Sequence, residues 1–344
     1  MARSEQVANG LNGHPMIEKV LSTSQKVSAE ARRLAQRYGY LPYMVERYID
    51  MLGLQGAERL LEANERPLPQ YLRCNDYLID CELLVKRLEE KGFELEYTPQ
   101  FSPYAYKIVN APIRPGATHE YLQGYYYLQG PASMAIVHSL DPKQGELIID
   151  MAAAPGGKAT QILQITRDRS TLIAVEKNRR RMRALRANMQ RMRFENYILV
   201  RADSTSLNLP ASFDRVLLDA PSTGEGTIRK DPSRKTSRRP EDLLYIHKLQ
   251  VKLLEKAVEI AKPGSTIVYA ACTLAPEEGE MVIDYILDKI GGLEVEDHGT
   301  IASPALGEFF GIKFKEEVKR CGRFWPHIHD SEGFFLCRLR KLRD

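Results

Sequence analysis

From Gly124 onward the chain alternates between short apolar runs and longer amphipathic stretches. The runs "ELIIDMA", "TLIAVEK", "NYILVRAD", "FDRVLLDA" and "STIVYAACT" are nearly continuous in Ile, Leu, Val, Ala and Tyr. Such runs are what strands of a parallel sheet look like when both faces are covered. Between them lie "GGKATQILQIT", "NRRRMRALRANMQRM" and the segment from Pro240 to Ala261, with apolar residues at helical spacing. Alternating strands and helices predict a doubly wound α/β sheet. Ahead of it, Pro15 to about Asn64 reads as helices punctuated by Gly39 and Gly53. Next come a strand in "PLPQYLRCN", a helix in "DYLIDCELLVKRLEEKG" ended by Gly92, and strands in "FELEYTP" and "YAYKIVN". That β-α-β-β order predicts a small α+β domain. The pattern divides the chain into a helical segment (residues 1–64), a small α+β domain (65–112) and the α/β domain (113–344). No internal repeat is evident.

Bulk properties narrow the class. No apolar run approaches the roughly 20 residues of a membrane helix. The start, "MARSEQVANGLNGHPM", lacks the apolar core of a secretory signal and is rich in Gly, Asn and Ser. We expect a loose N-terminus and a cytoplasmic protein without membrane contact. The five Cys (Cys74, Cys81, Cys272, Cys321 and Cys337) are odd in number and show no C-x-x-C spacing. We therefore expect no disulfide framework and no zinc site, with every Cys except Cys272 a buried small hydrophobe. A net charge of +4 conceals two dense cationic stretches, Asn178 to Arg193 and Arg229 to Pro240. They read equally as solvated faces or as a nucleic-acid surface, where clustered cations release counterions from phosphates.

Ligands of a doubly wound sheet bind beyond the carboxyl ends of its strands. The polar residues following the apolar runs are Asp150 with "AAAPGGK", Glu176, Asp203, Asp219 with "APSTGEG", and Cys272. Any one of these could be a cap or turn former; five on one rim point to a site. "DMAAAPGGKATQ" is neither a P-loop nor G-x-G-x-x-G. The Gly156–Gly157 amides open a helix N-terminus that suits a carboxylate. Glu176 can accept from ribose hydroxyls, and Asp203 from an adenine amino group. A ligand with a carboxylate, a ribose and an adenine but no phosphate fits S-adenosylmethionine.

The segments "DMAAAPGGK", "LLDAPSTGEGTIRKDP", "YAACTLAPEEGE" and "RFWPHIHDSEGFFLCRL", preceded by "YYYLQGPASM", together resemble the Nop/Sun family of RNA cytosine-5 methyltransferases, which includes the RsmB-like bacterial enzymes. The resemblance runs from roughly Pro67 to Leu339. It implies a Rossmann-like methyltransferase domain behind a small RRM-like RNA-binding domain. It also implies that Ala152, Ala153, Ala154, Pro155, Gly156, Gly157, Lys158, Glu176, Asp203 and Asp219 bind S-adenosylmethionine, with Arg181 close to it. The substrate partner it implies is tRNA or rRNA, and we expect a monomer that carries no metal.

Cytosine C5 is a poor nucleophile until a thiolate adds to C6, which calls for a partly exposed thiol of lowered pKa. Cys272 matches the family's T-C motif and is the expected nucleophile. Asp219 is placed to reach N3 and the amino edge of the base, Pro221 to offer it an apolar edge, and Lys158 to be a polar partner. The family usually has a second Cys after this Pro, needed for product release; here it is Ser222. Ala271 and Gly279 also stand where many members have Thr and Asn. Ser222 leaves two readings of release: another base, such as water held by Asp219 or Thr223, or an engineered change that traps the complex. It also keeps open an RNA-binding or ribosome-assembly factor with impaired turnover. Arg229, Lys230, Arg234, Lys235, Arg238 and Arg239 flank the "DAPSTGEG" loop and are expected to contact RNA, whose target base must leave its stack. Tyr125, Tyr126 and Tyr127 are expected to divide between core and surface, and Arg323, His327 and His329 lie in "RFWPHIH".

Overall fold

The structure, a computed structural model, describes residues 13–209 and 212–343. The stretch 1–12, expected to be loose, lies outside the described residues. The chain opens with helices α1 (Ile17–Ser24), α2 (Ala29–Tyr38) and α3 (Pro42–Asn64). Gly39 ends α2 at φ 73° and Gly53 breaks α3 at φ 68°, both in the left-handed region that glycine enters without a Cβ penalty.

A small domain follows, with β1 (Gln70–Cys74), α4 (Cys81–Glu89), β2 (Glu94–Tyr97), β3 (Ala105–Asn110), the one-turn α5 (His119–Leu122) and β4 (Tyr126–Leu128). Its antiparallel sheet runs β2-β3-β1-β4, so the fourth strand comes from the tyrosine run. Tyr126 and Tyr127 are buried there, and the Tyr126 hydroxyl donates to the Pro115 carbonyl at 2.5 Å. Both tyrosines thus belong to the core.

The large domain contains α6 (Pro131–Leu140), β5 (Leu147–Asp150), α7 (Gly157–Ile165), β6 (Thr171–Val175), α8 (Arg179–Arg191), β7 (Tyr197–Val200), β8 (Phe213–Ala220), α9 (Pro240–Ile260), β9 (Ala261–Ala271) and α10 (Glu280–Lys289). It continues with β10 (Leu293–Glu296), β11 (Ser303–Pro304), β12 (Glu308–Phe309), β13 (Ile312–Lys313), β14 (Gly322–Phe324), the short α11 (Pro326–His329) and β15 (Phe334–Lys341). The main sheet runs β11-β14-β15-β9-β8-β5-β6-β7, with β10 also paired to β15. Strands β5 to β9 are parallel to one another, as their apolar runs predict, while β15, β14, β11 and β10 pair antiparallel. Strand order reverses between β5 and β8, and a ligand crevice opens at such a switch point. No helix among the described residues is long and apolar enough to cross a membrane.

The cysteine expectation needs correction. Cys74 is disulfide-bonded to Cys81, and Cys321 to Cys337. The first pair joins the end of β1 to the start of α4. The second is set by register: Gly322 lies opposite Leu336, so Cys321 and Cys337 are neighbours across β14 and β15. Both pairings depend on strand ends that spacing alone does not reveal.

Candidate active site

Asp150 ends β5, Glu176 follows β6, Asp203 lies beyond β7, Asp219 is the penultimate residue of β8, and Cys272 follows β9. Parallel pairing places Ala220 beside Ala271, which brings the Pro221–Ser222 turn against Cys272. The sheet therefore gathers the five rim residues along one edge.

Two adjoining cavities, each of about 350 Å³, meet there. The first is lined by Met151, Glu176, Arg181, Asp203, Pro221 and Ser222 among others. The second is lined by Asp150, Ala153, Pro155, Lys158, Glu332 and Phe334 among others, with Ala154 and Gly157 beside them. Ala152, Asp219 and Cys272 line both. Gly156 borders neither but opens α7 at φ 111°. A Cβ there would lie 3.2 Å from the Leu185 side chain, so the small residue keeps the loop close to α8.

The first cavity carries two carboxylates of the kind that can accept from ribose hydroxyls and an adenine amino group. Glu176 is buried, takes the Asn178 amide at 2.7 Å, and faces Arg181 at 3.4 Å. Arg181 also donates to the Ala154 carbonyl at 2.7 Å, which joins the loop to the strand end. Asp203 caps a short turn through the Thr205 amide, and that hydrogen bond holds its carboxyl below the usual range. Its other oxygen faces Lys177 at 3.9 Å. A buried acid and a half-exposed acid thus share the first cavity, while the glycine-opened helix borders the second through Gly157 and Lys158.

In the second cavity Lys158 is ion-paired to Asp219 at 2.7 Å, with its ammonium 5.1 Å from the centre of the Phe334 ring. Cys272 is the one free cysteine among the described residues. Burial pushes its thiol well up, the carboxylates of Glu332 and Asp219 push the same way, and Lys158 and Lys230 oppose them. Burial thus works against the lowered pKa that nucleophilic attack calls for.

Ser222 donates to the Cys272 carbonyl at 3.1 Å. Thr223 gives both its amide and its hydroxyl to Glu278, at 2.6 and 2.9 Å. Both hydroxyls are thus committed as donors and keep only their acceptor lone pairs. Gly279 has a packing reason: a Cβ would lie 2.8 Å from the Phe335 ring.

The six predicted RNA-contacting cations are not equivalent. Arg229 is nearly enclosed, paired to Asp330 at 2.9 Å and donating to the Arg66 and Pro67 carbonyls. Arg234 pairs with Asp231 at 3.0 Å, and Lys235 with Glu65 at 2.5 Å. Arg238 donates to the Thr223 carbonyl at 2.7 Å. Lys230 and Arg239 are exposed, and Lys230 borders the second cavity. Arg323 pairs with Glu280 at 2.5 Å and donates to the Leu274 carbonyl. Burial lowers His327 to about 4, and His329 also lies below its usual range.

Sequence patterns do not reveal several residues that shape this site. Arg47 of α3 is fully buried and reaches Glu225 at 2.7 Å and Glu277 at 2.7 Å, the loops that follow β8 and β9. Arg73 of β1 is also buried, donating to Gln129, Gly157, Thr160 and Gln161, so the small domain grips α7 directly. Glu332 lines the second cavity without having been expected there. Its only sequence signal is an acid just ahead of the apolar run "GFFLCRL".

A Rossmann-like sheet with paired acids over one cavity and a cysteine shared with the next has the architecture of the α/β methyltransferase class. The family model described as 16S rRNA methyltransferase RsmB/F matches residues 137–340, and the chain belongs to that family of S-adenosylmethionine-dependent RNA cytosine-C5 methyltransferases. It is 31% identical to the 25S rRNA (cytosine-C(5))-methyltransferase nop2 of Schizosaccharomyces pombe, over 99% of this chain and 58% of that one. It is 33% identical to ribosomal RNA small subunit methyltransferase F of Aliivibrio fischeri, over 83% of this chain and 60% of that one. The chain thus spans well under two thirds of these curated relatives. Among solved structures, a methyltransferase homolog protein from Pyrococcus horikoshii superposes with a TM-score of 0.83 at 38% identity, covering 92% of this chain and all of that one.

Proposed function

We propose that this chain methylates C5 of a cytosine in rRNA, acting as a monomer in the cytoplasm. The observation that carries the reading is that Cys272 and Asp219 line both cavities. One group of atoms can therefore face a cofactor on one side and a base on the other. rRNA is favoured over tRNA because the relatives' names specify rRNA. In this reading the helical segment (1–64) and the small domain (65–112) carry RNA toward the rim.

Glu176, Asp203, Arg181 and the loop from Ala152 to Lys158 would hold S-adenosylmethionine. When bound, that cofactor supplies an electrophilic methyl group. Asp219, held by Lys158, offers its carboxyl to the N3 and amino edge of a flipped cytosine. Pro221 lines the first cavity beside Asp219 and Cys272, and Ser222 fixes the Cys272 carbonyl. The Cys272 sulfur adds to C6, which turns C5 into a carbon nucleophile. Loss of the C5 proton and of the thiolate then restores the aromatic ring. Lys158 and Lys230 draw the thiol toward ionisation against the effect of burial.

The test is nucleoside analysis of unmodified rRNA transcripts incubated with the protein and S-adenosylmethionine. 5-Methylcytosine should form with the native chain and not with Cys272→Ala, while both bind RNA. RNA binding with no methylation by the native chain would instead favour an assembly factor.

A further inference from the structure

The proposed reaction needs a group to remove the C5 proton, and the polar groups around the target cavity are mostly committed. Within it Asp219 is paired with Lys158 and Asp150 accepts the Ala152 amide; beyond its lining, Ser222 donates to the Cys272 carbonyl and Thr223 is bonded twice to Glu278. Glu332 is different. It lines the target cavity together with Cys272, is only 5% exposed, and its Oε2 is buried without a hydrogen-bond partner. An unpaired buried carboxylate is costly, and folds retain one only against an opposing demand.

The backbone is shaped to put it there. Gly333 donates to the Gly226 carbonyl at 3.0 Å, and Gly226 donates to the Cys272 carbonyl at 3.3 Å. A Cβ on Gly226 would lie 1.8 Å from the Gly333 carbonyl oxygen, so these backbones touch only because position 226 has no side chain. Gly130 clears the space on the far side: a Cβ there would lie 1.4 Å from Glu332 Oε1. Gly130 has φ −67°, which any residue adopts, so room for the carboxylate rather than backbone freedom explains the glycine. Two glycine contacts therefore deliver one unpartnered carboxylate to the cavity that holds the nucleophile.

We propose that Glu332 is the catalytic base that takes the C5 proton and so releases the methylated RNA from Cys272. This rests on the reading of Cys272 as a nucleophile toward RNA cytosine. After methyl transfer, the C5–H bond breaks and its proton passes to the Glu332 carboxylate. The bonding pair forms the C5=C6 double bond, and the C6–S bond breaks to give the Cys272 thiolate. No further reactant is needed. If sulfur and methyl add from opposite faces, the C5 hydrogen is left on the sulfur's face, where a group sharing the thiol's cavity belongs. Glu332 is also the strongest charge influence on the Cys272 thiol, consistent with this proximity.

The test uses the full chain with S-adenosylmethionine and two rRNA transcripts, one ordinary and one carrying 5-fluorocytidine, followed on denaturing gels. Fluorine at C5 cannot leave as a proton, so that RNA should trap the native chain and Glu332→Gln alike and at equal rates. On ordinary RNA the native chain should release methylated product. Glu332→Gln should accumulate a protein–RNA band and lose turnover by roughly 100-fold or more, the usual contribution of a general base. Gly130→Ala, which displaces the carboxylate without removing it, should accumulate the same band. Adding Cys272→Ala should abolish the band in every case. Native-like turnover by Glu332→Gln would overturn the proposal. So would slow trapping of that variant on 5-fluorocytidine RNA, which would place Glu332 before methyl transfer. Failure of the native chain to be trapped would overturn the underlying reading instead, and the proposal with it.

Discussion

Asp150 closes β5 almost fully buried, and burial pushes its carboxyl up to about 7. In the unfolded chain the same group titrates near about 3.9. The folded state thus binds this proton more tightly, so its stabilising effect is fully present below about pH 4 and lost as pH rises through about 7. A rise to about 7 corresponds to on the order of 4 kcal/mol. Asp150→Asn keeps an oxygen to accept the Ala152 amide and removes the charge. Its melting temperature should gain on the native chain's between pH 4 and pH 8; a constant difference would contradict the assignment. At this scale the site was partly legible. Glu176, Asp203 and Cys272 follow strands that run parallel and Asp219 lies at the end of one, and a run of apolar residues ending in a polar one marks a rim position. Glu332 follows no such rule. Strand β15 is antiparallel to β9, so it is its beginning that lies on the rim, and the acid precedes the apolar run.

Helix α3 sends one guanidinium into the loops beneath the site. Arg47 and its partners Glu225 and Glu277 are all buried, so removing the arginine leaves two carboxylates without a counter-charge. Breaking a buried pair in this way costs about 3–5 kcal/mol. Arg47→Met should lose about that much in urea unfolding and lower methyl transfer more than it lowers RNA binding; a loss under about 1 kcal/mol would deny α3 this role. The helical pattern of α3 was readable, because Tyr, Met, Val and Leu recur at its spacing. The inward arginine was not, since an Arg among polar residues reads as solvated until its acids, some 180 to 230 residues away, are brought to it. The disulfide between Cys321 and Cys337 was hidden for a related reason: it depends on the three-residue β14, whose antiparallel register against β15 aligns the two sulfurs.

Across the whole molecule, the cations divide into committed and free. Those flanking the active-site loop mostly hold carboxylates or carbonyls, whereas Arg179, Arg180, Arg183 and Arg186 of α8 are exposed with no ion-pair partner among the described residues. The free set is better placed to meet phosphates. Changing these four to Gln should flatten the dependence of RNA affinity on salt, by about 0.7 to 0.9 in log–log slope for each phosphate no longer neutralised. An unchanged slope would return α8 to a solvated face. Arg73 has a complementary part, since its buried bonds to the start of α7 make the small domain and the loop that opens α7 one mechanical unit.

The central claim is that Cys272 attacks an RNA cytosine. The most direct measurement is tandem mass spectrometry of the peptide left on a nucleotide after the native chain is trapped on 5-fluorocytidine rRNA and digested. The nucleotide should be found on Cys272, the one free thiol among the described residues. A nucleotide on any other residue, or no covalent product from an rRNA that the chain binds, would contradict that claim.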